Sequence, residues 1–368
     1  MPHRSIPTVV LLSCFLLLLS ACRKEQPEPG PVGAASTGDG STVRLVGSTH
    51  RHGPYNQLFT RYSGWTGGDQ GYSISLPDGR VLWLFGDSFF GAVNPDRSRP
   101  PGSQFVRNGY LVQNGAQLTE LNPHVNGQWL PVVSPANPAE WYWPGDGFVS
   151  GNMLYIFQQR MALTDGGPNG FNFGQTGVDV SLFSLPGLQL QGVQPFNDDP
   201  EIDWGTAVME DGPFLYIYGT ESVPYNKFAH VSRTALNAPF QQMQYWDGTN
   251  WTNDPQSTAR VRSGLSQSFS LFKHGGKYYL LSQENILGPD IFIWDAVSPV
   301  GPFVNKRKLY VTPQPAGTWT YNALAHPHTI TAQGDLLLCY SINAMDFWRI
   351  LDNADLYRPI FLRARGWE

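Results

Sequence analysis

Short apolar runs, each entered through a turn, recur along the chain and set its architecture. They are VLWLFGDS (81–88), MLYIFQQR (153–160), FLYIYGTE (214–221), YYLLSQEN (278–285) and LLLCYSIN (336–343). The turns before them, Pro77-Asp78-Gly79, Gly151-Asn152, Asp211-Gly212, His274-Gly275-Gly276 and Gln333-Gly334, are of the types that supply positive φ in hairpins. No 12-residue window carries a convincing helical period.

The equivalent residues Phe85, Phe157, Tyr218, Leu281 and Cys339 are separated by 72, 61, 63 and 58 positions. One four-stranded propeller blade with generous loops fills that length. A third apolar stretch follows every hairpin: GYLVQNG, DVSLFSL, FAHVSRTAL, DIFIWDAVS and RPIFLRARG. The pattern predicts an all-β fold, a five-bladed β-propeller over 44–368, with Thr42 to Gly47 closing the ring as an outer strand of the last blade. A pair of sandwiches would not repeat one hairpin at this spacing.

Composition agrees and narrows the function. Aromatic residues at 13%, with 39 Gly and 30 Pro, are a turn-dense β signature. Charged residues at 14% and a net charge of −5 leave no basic stripe, so nucleic acid is excluded as a partner.

The first 22 residues stand apart. His3 and Arg4 precede an apolar run from Ile6 to Leu19 that ends in Leu19-Ser20-Ala21-Cys22, a lipoprotein signal peptide with a lipobox. The run is shorter than the roughly 20 residues a bilayer span needs. Cys22 is therefore expected to carry lipid, and membrane contact to go through that anchor alone, at the outer membrane or cell surface. Residues 23–43, rich in Pro, Gly, Ser and Ala, bury too little to fold and read as a tether. Cys14 leaves with the signal and Cys339 remains alone, so no disulfide framework forms.

Chemistry enters through carboxylates. With Gln70–Leu76 and Val81–Asp87 as strands about a two-residue Asp78-Gly79 turn, Gln70 faces Asp87, and Asp69 lies diagonal to it. Inner strands of a propeller line the channel, so their first residues converge: Asp69 in blade one, Asp146 in WPGDGFV and Asp203 in EIDWGTAV. Strand ends add Glu221, which stands 18 residues after Asp203 as Asp87 does after Asp69, and Glu284. Carboxylates crowded in a desolvated funnel separate each other's pKa values, which acid–base and glycosidic cleavage require. Taken singly, each of these acids also suits an ordinary turn or capping role.

Sugar rings stack on aromatic faces while an indole N–H bonds a hydroxyl. Trp65, Trp141, Trp143 and Trp204 flank the acids and are expected at a substrate rim, with Glu284, His326 and His328 also contacting substrate. Trp83, Tyr155, Tyr216 and Tyr279 are assigned to packing between blades, and Trp319 with Tyr321 precedes the last inner strand. His326 and His328 share a face but lack a third ligand, so no metal site is expected. A structural calcium or sodium in the central channel is the one cofactor option.

The block GWTGGDQGYSISLPDGRVLWLFGDSFFG, together with SPVGPF (298–303), resembles a family of secreted and lipid-anchored bacterial five-bladed propellers. These are long catalogued as a domain of unknown function, and some are endo-D-arabinanases. They are similar in architecture to arabinanase, xylosidase and fructosidase propellers. The resemblance implies a glycan-directed enzyme with Asp69 and Asp87 at the channel mouth. Asp146 and Asp203 follow the acid positions of blades two and three, although such enzymes usually place a glutamate in the third.

The expected activity is that of an envelope-anchored glycoside hydrolase acting as a monomer on a polysaccharide, one that contains arabinofuranose among the candidates. Asp69 and Asp87 are the nucleophile or base and its partner. Asp146 tunes them, and Asp203 or Glu221 donates the proton. The alternative is a non-catalytic glycan-binding lipoprotein.

Overall fold

The computed structural model describes residues 43, 45–165, 172–197, 201–285 and 287–368. The chain divides into two units, 1–42 and 43–368. The expected signal peptide, Cys22, the tether apart from Val43, and Arg44 lie outside the described residues.

Five antiparallel sheets follow one another along the chain. Blade one comprises Trp65–Ser75, Val81–Phe90, Gly109–Asn114 and Gln117–Glu120, with Gln104–Val106 paired to the end of its second strand. Blade two comprises Glu140–Ser150, Met153–Leu163, Phe173–Ser184 and Gln189–Asn197. Blade three begins with Ile202–Asp211, Phe214–Val223 and Asn226–Ala235, and short strands at its outer edge complete it. Blade four comprises Phe269–His274, Lys277–Gln283, Asp290–Ala296 and Val304–Val311. Blade five comprises Thr318–His326, Leu336–Ala344 and Ile360–Arg365, and its fourth strand is Ser48–Arg51 from the other end of the chain. This is the five-bladed propeller that the repeat predicts.

Ring closure uses a different segment from the one expected. Ser48 pairs with Arg365 and Arg51 with Leu362, so the closing strand starts one residue beyond the expected 42–47. Gly47 has φ +62°, which turns the chain before that strand. Leu45 instead bridges Lys308 of blade four in parallel, and Val46 N–H donates to Lys308 O at 2.9 Å.

The apolar runs of the second strands are buried on both faces because each lies inside its own sheet and between neighbouring blades. Leu82, Trp83, Leu84 and Phe85 have no exposed surface. Phe59 packs on Trp83 at 5.0 Å and on Phe361 at 4.8 Å, which joins the strand of blade one to the third strand of blade five. Each such ring contributes about 2–3 kcal/mol by leaving water. No helix among the described residues is long and apolar enough to cross a membrane.

Candidate active site

The first hairpin of blade one has a loop one residue longer than expected, and an irregular ladder beyond it places the chemistry. Leu76 N–H donates to Arg80 O at 2.8 Å and Gly79 N–H to Leu76 O at 3.0 Å, so Pro77-Asp78-Gly79 form a three-residue loop, with Gly79 at φ +85°. The register moves accordingly: Ser75 faces Val81 and Tyr72 faces Leu84. That register does not continue to Asp69, because the ladder is irregular beyond Tyr72. Between the pairs Gly68–Ser88 and Gln70–Phe85 the ladder shifts, so that Asp69 alone spans Gly86 and Asp87. Gln70 at φ +67° and Gly71 at φ +110° carry the irregularity.

Each carboxylate has its own partners. Tyr321 O–H donates to Asp69 Oδ2 at 2.9 Å, and the Tyr357 phenol also bonds Asp69. Arg107 Nη1 donates to Asp87 Oδ2 at 3.1 Å and Trp143 Nε1 to Asp87 Oδ1 at 2.8 Å. Both acids are half-buried, which leaves them reachable from solvent while protein surrounds them. Burial raises the Asp69 carboxyl to about 7, helped by the charge of Asp87 and opposed by the two phenols. Burial also raises Asp87 to about 6, against the pull of Arg107 and the Trp143 hydrogen bond.

Asp146 and Asp203 reach the same channel from blades two and three, and both act on the buried phenol of Tyr72 in blade one. Asp146 Oδ1 accepts from Gly147 N–H at 2.8 Å and Oδ2 from Val208 N–H at 2.9 Å, so it ties two inner strands together. Asp203 accepts from Gln267 Nε2 and feels the Lys227 ammonium, which itself donates to Gln267 Oε1 at 2.5 Å. Burial raises each of these carboxyls to about 7.

Several expected site residues are placed elsewhere. Glu221 does not repeat the geometry of Asp87 despite its equal spacing: it faces Ile202, while Asp203 faces Thr220. Its carboxylate takes two bonds of 2.6 Å from Arg260 and one of 3.0 Å with His230, and the Arg260 hydrogen bonds hold it below the usual range. It is an anion in an ion pair, not a proton donor. Trp65 has no exposed surface and donates to Ser88 Oγ at 3.2 Å, and Trp204 is 1% exposed, so both belong to the core rather than to a rim. Glu284 folds over Gly288 in its own loop, within the field of Lys306.

His326 is the last residue of its inner strand, not the first, and so sits at the other end of the channel from Asp69. It is fully buried, 2.7 Å from Ser73 Oγ and 4.8 Å from the Trp83 ring, and burial pushes its pKa well down. His328 is exposed in the turn beyond it. Among the described residues no three His, Cys, Asp or Glu side chains are grouped to hold a metal.

Trp141 and Trp143 do lie beside the acids: the Arg107 guanidinium covers Trp141 at 4.3 Å, and Trp143 bonds Asp87. Sequence reasoning missed Arg107 and Tyr357, whose local sequences FVRNGY and ADLYRP carry no repeat signal. Tyr321 was legible as an aromatic near the last inner strand. Starting that strand at Thr318 would have set it level with Asp69.

A closed ring of five blades, with two neighbouring carboxylates at the open end of the blade-one hairpin, makes the protein a five-bladed β-propeller. The chain belongs to the DUF5005 family, a domain of unknown function, whose model matches residues 53–367. No curated protein matches it in sequence. Among solved structures, a presumed hydrolase from Bacteroides ovatus is 26% identical, with a TM-score of 0.76 over 87% of this chain and 90% of that one. An exo-β-1,3-galactanase from Phanerochaete chrysosporium is 11% identical, with a TM-score of 0.48 over 82% of this chain and 62% of that one. An α-L-arabinofuranosidase from Podospora anserina is 12% identical, with a TM-score of 0.45 over 82% of this chain and 91% of that one. Likenesses as distant as the last two carry no argument about chemistry.

Proposed function

We propose that this protein is a glycoside hydrolase that cleaves a polysaccharide at Asp69 and Asp87 and is held in the cell envelope by a lipid on Cys22. The carrying observation is that two neighbouring carboxyls lie within each other's field and have unlike partners. Arg107 and Trp143 favour the ionised form of Asp87. Asp69 lies in the field of that charge and holds its proton to higher pH. Asp87, ion-paired with Arg107, is read as the nucleophile and Asp69 as the acid.

The step balances on these two groups. Asp69 protonates the glycosidic oxygen as Asp87 attacks the anomeric carbon, which releases the leaving sugar and leaves a glycosyl ester on Asp87. Asp69, now ionised, takes a proton from water as that water cleaves the ester, and both carboxyls return to their starting forms. A covalent route on Asp87 implies retention of anomeric configuration, and the configuration of the released sugar checks it.

Reducing ends released from arabinan, arabinogalactan, galactan and xylan measure the reaction. Asp69→Asn and Asp87→Asn are expected to lower the rate on the productive polymer about 10²–10⁴-fold while retention of that polymer on affinity gels persists. Wild-type protein that binds a polymer but cleaves none of them is a glycan-binding lipoprotein instead.

A further inference from the structure

One aromatic wall runs along the blade five, one and two side of the carboxylate pair, and both its ends bond the acids. At one end Tyr357, which bonds Asp69, meets the Phe347 ring at 6.0 Å. Phe347 touches Phe105 at 5.8 Å, and the Arg107 guanidinium lies 5.4 Å over Phe105 and 4.3 Å over Trp141. Trp141 meets Trp143 at 6.1 Å, and Trp143 donates to Asp87 at 2.8 Å. Beyond Phe347, Trp348 stands in the loop after the second strand of blade five, its ring 5.5 Å from Phe347 and 68% exposed. Phe105 is 40% exposed.

Core aromatics explain none of this exposure. Trp83, Trp65 and Phe85 are wholly buried, whereas Trp348 and Phe105 turn faces to water and Tyr357, Arg107 and Trp143 bond the acids. Aromatic faces that open on one side and bond carboxylates on the other suit a ligand with apolar C–H faces and hydroxyl edges. Trp348 connects to Trp143 through Phe347, Phe105, Arg107 and Trp141 at 4.3–6.1 Å per step, a course longer than one sugar ring.

We propose that this wall is an extended glycan-binding surface on which several consecutive sugar rings of one chain lie, Trp348 and Phe105 holding the outer rings and Trp143 with Arg107 delivering an inner linkage to Asp87. This rests on the reading of Asp69 and Asp87 as the reacting pair and deepens it: the substrate is a polymer cut within its length. Trp348 and Phe105 touch neither acid, so their contribution lies in binding longer chains.

Affinity electrophoresis through arabinan, arabinogalactan, galactan or xylan tests the proposal on the full chain. Trp348→Ala and Phe105→Ala are expected to weaken retardation by the recognised polymer about 5–10-fold. Tyr225→Ala, which removes an 87% exposed ring in blade three, leaves it unchanged. Unchanged melting temperatures separate lost stacking from lost folding. The proposal falls if both wall variants are retarded like wild type, or if none of the four polymers retards the wild type. It falls equally if Trp348→Ala spares polymer binding and instead abolishes self-association in sedimentation or binding to phosphatidylglycerol vesicles. Weakened retardation without reducing-end release by the wild type keeps the wall and removes the catalytic reading.

Discussion

Two groups that differ by one ion pair divide the labour at the carboxylates, and each can be moved separately. Arg107 lowers the Asp87 carboxyl, so Arg107→Met raises it and shifts the acidic limb of the pH–rate profile upward, by up to about one unit for a half-exposed cation. Tyr321 lowers Asp69 by donating to its ionised form, so Tyr321→Phe raises Asp69 and shifts the basic limb upward instead. Wild-type activity should be bell-shaped, rising as Asp87 ionises near pH 6 and falling as Asp69 ionises near pH 7. Carboxyl ¹³C titration of the free protein reads the same shifts without substrate. A profile in which Arg107→Met moves the basic limb would reverse the assignment of acid and nucleophile.

Blade five supports this pair at the level of elements. Where the first strand of blade one bends, Gln70 has φ +67° and its backbone leaves the regular ladder. Ser341, on the second strand of blade five, takes over both lost contacts: its Oγ accepts from Gln70 N–H at 3.0 Å and donates to Gln70 O at 3.4 Å. Two residues on, Asn343 Nδ2 reaches the Tyr321 hydroxyl at 3.4 Å. A left-handed non-glycine residue persists only where its surroundings hold it. Ser341→Ala should therefore release the bend, move the Asp69 titration and lower the rate about tenfold at a nearly unchanged KM, while Ser341→Thr restores both. Equal Asp69 titrations in wild type and Ser341→Ala would reduce Ser341 to packing. The five hairpins were legible because continuous apolar runs entered through glycine turns are local signals. The site was only partly so. The irregular ladder at Gln70 and Gly71 brings Asp69 beside Asp87, and neither that bend nor the reach of Tyr357 leaves a mark in its own segment. Equal spacing misled at Glu221, where blade three pairs in another register and the side chain meets Arg260.

Over the whole molecule, the channel acids set how stability depends on pH. Asp69, Asp146 and Asp203 are raised to about 7 and Asp87 to about 6, all by burial first, against an ordinary carboxyl near 3.8. Between roughly pH 4 and 7 the folded chain thus binds more protons than the unfolded one, so stability falls as pH rises through that window. The ion-paired carboxylates act in the opposite sense and lower down: Glu221 with Arg260, and Asp335 with Arg365, add stability that is lost as pH falls below about 4. Maximum stability is accordingly expected near pH 4, with a decline toward pH 8. Asn at position 69 keeps the shape of Asp69 but has no proton to lose, so Asp69→Asn should melt roughly 2–6 °C above wild type at pH 8 and close to it at pH 4. Asp335→Asn, on the outer surface, has no such gain at pH 8. Calorimetry across pH 4–8 measures both. An Asp69→Asn variant with the wild-type slope would mean that Asp69 is ionised throughout, and the protein would then lack the proton donor that the hydrolytic reading requires of it.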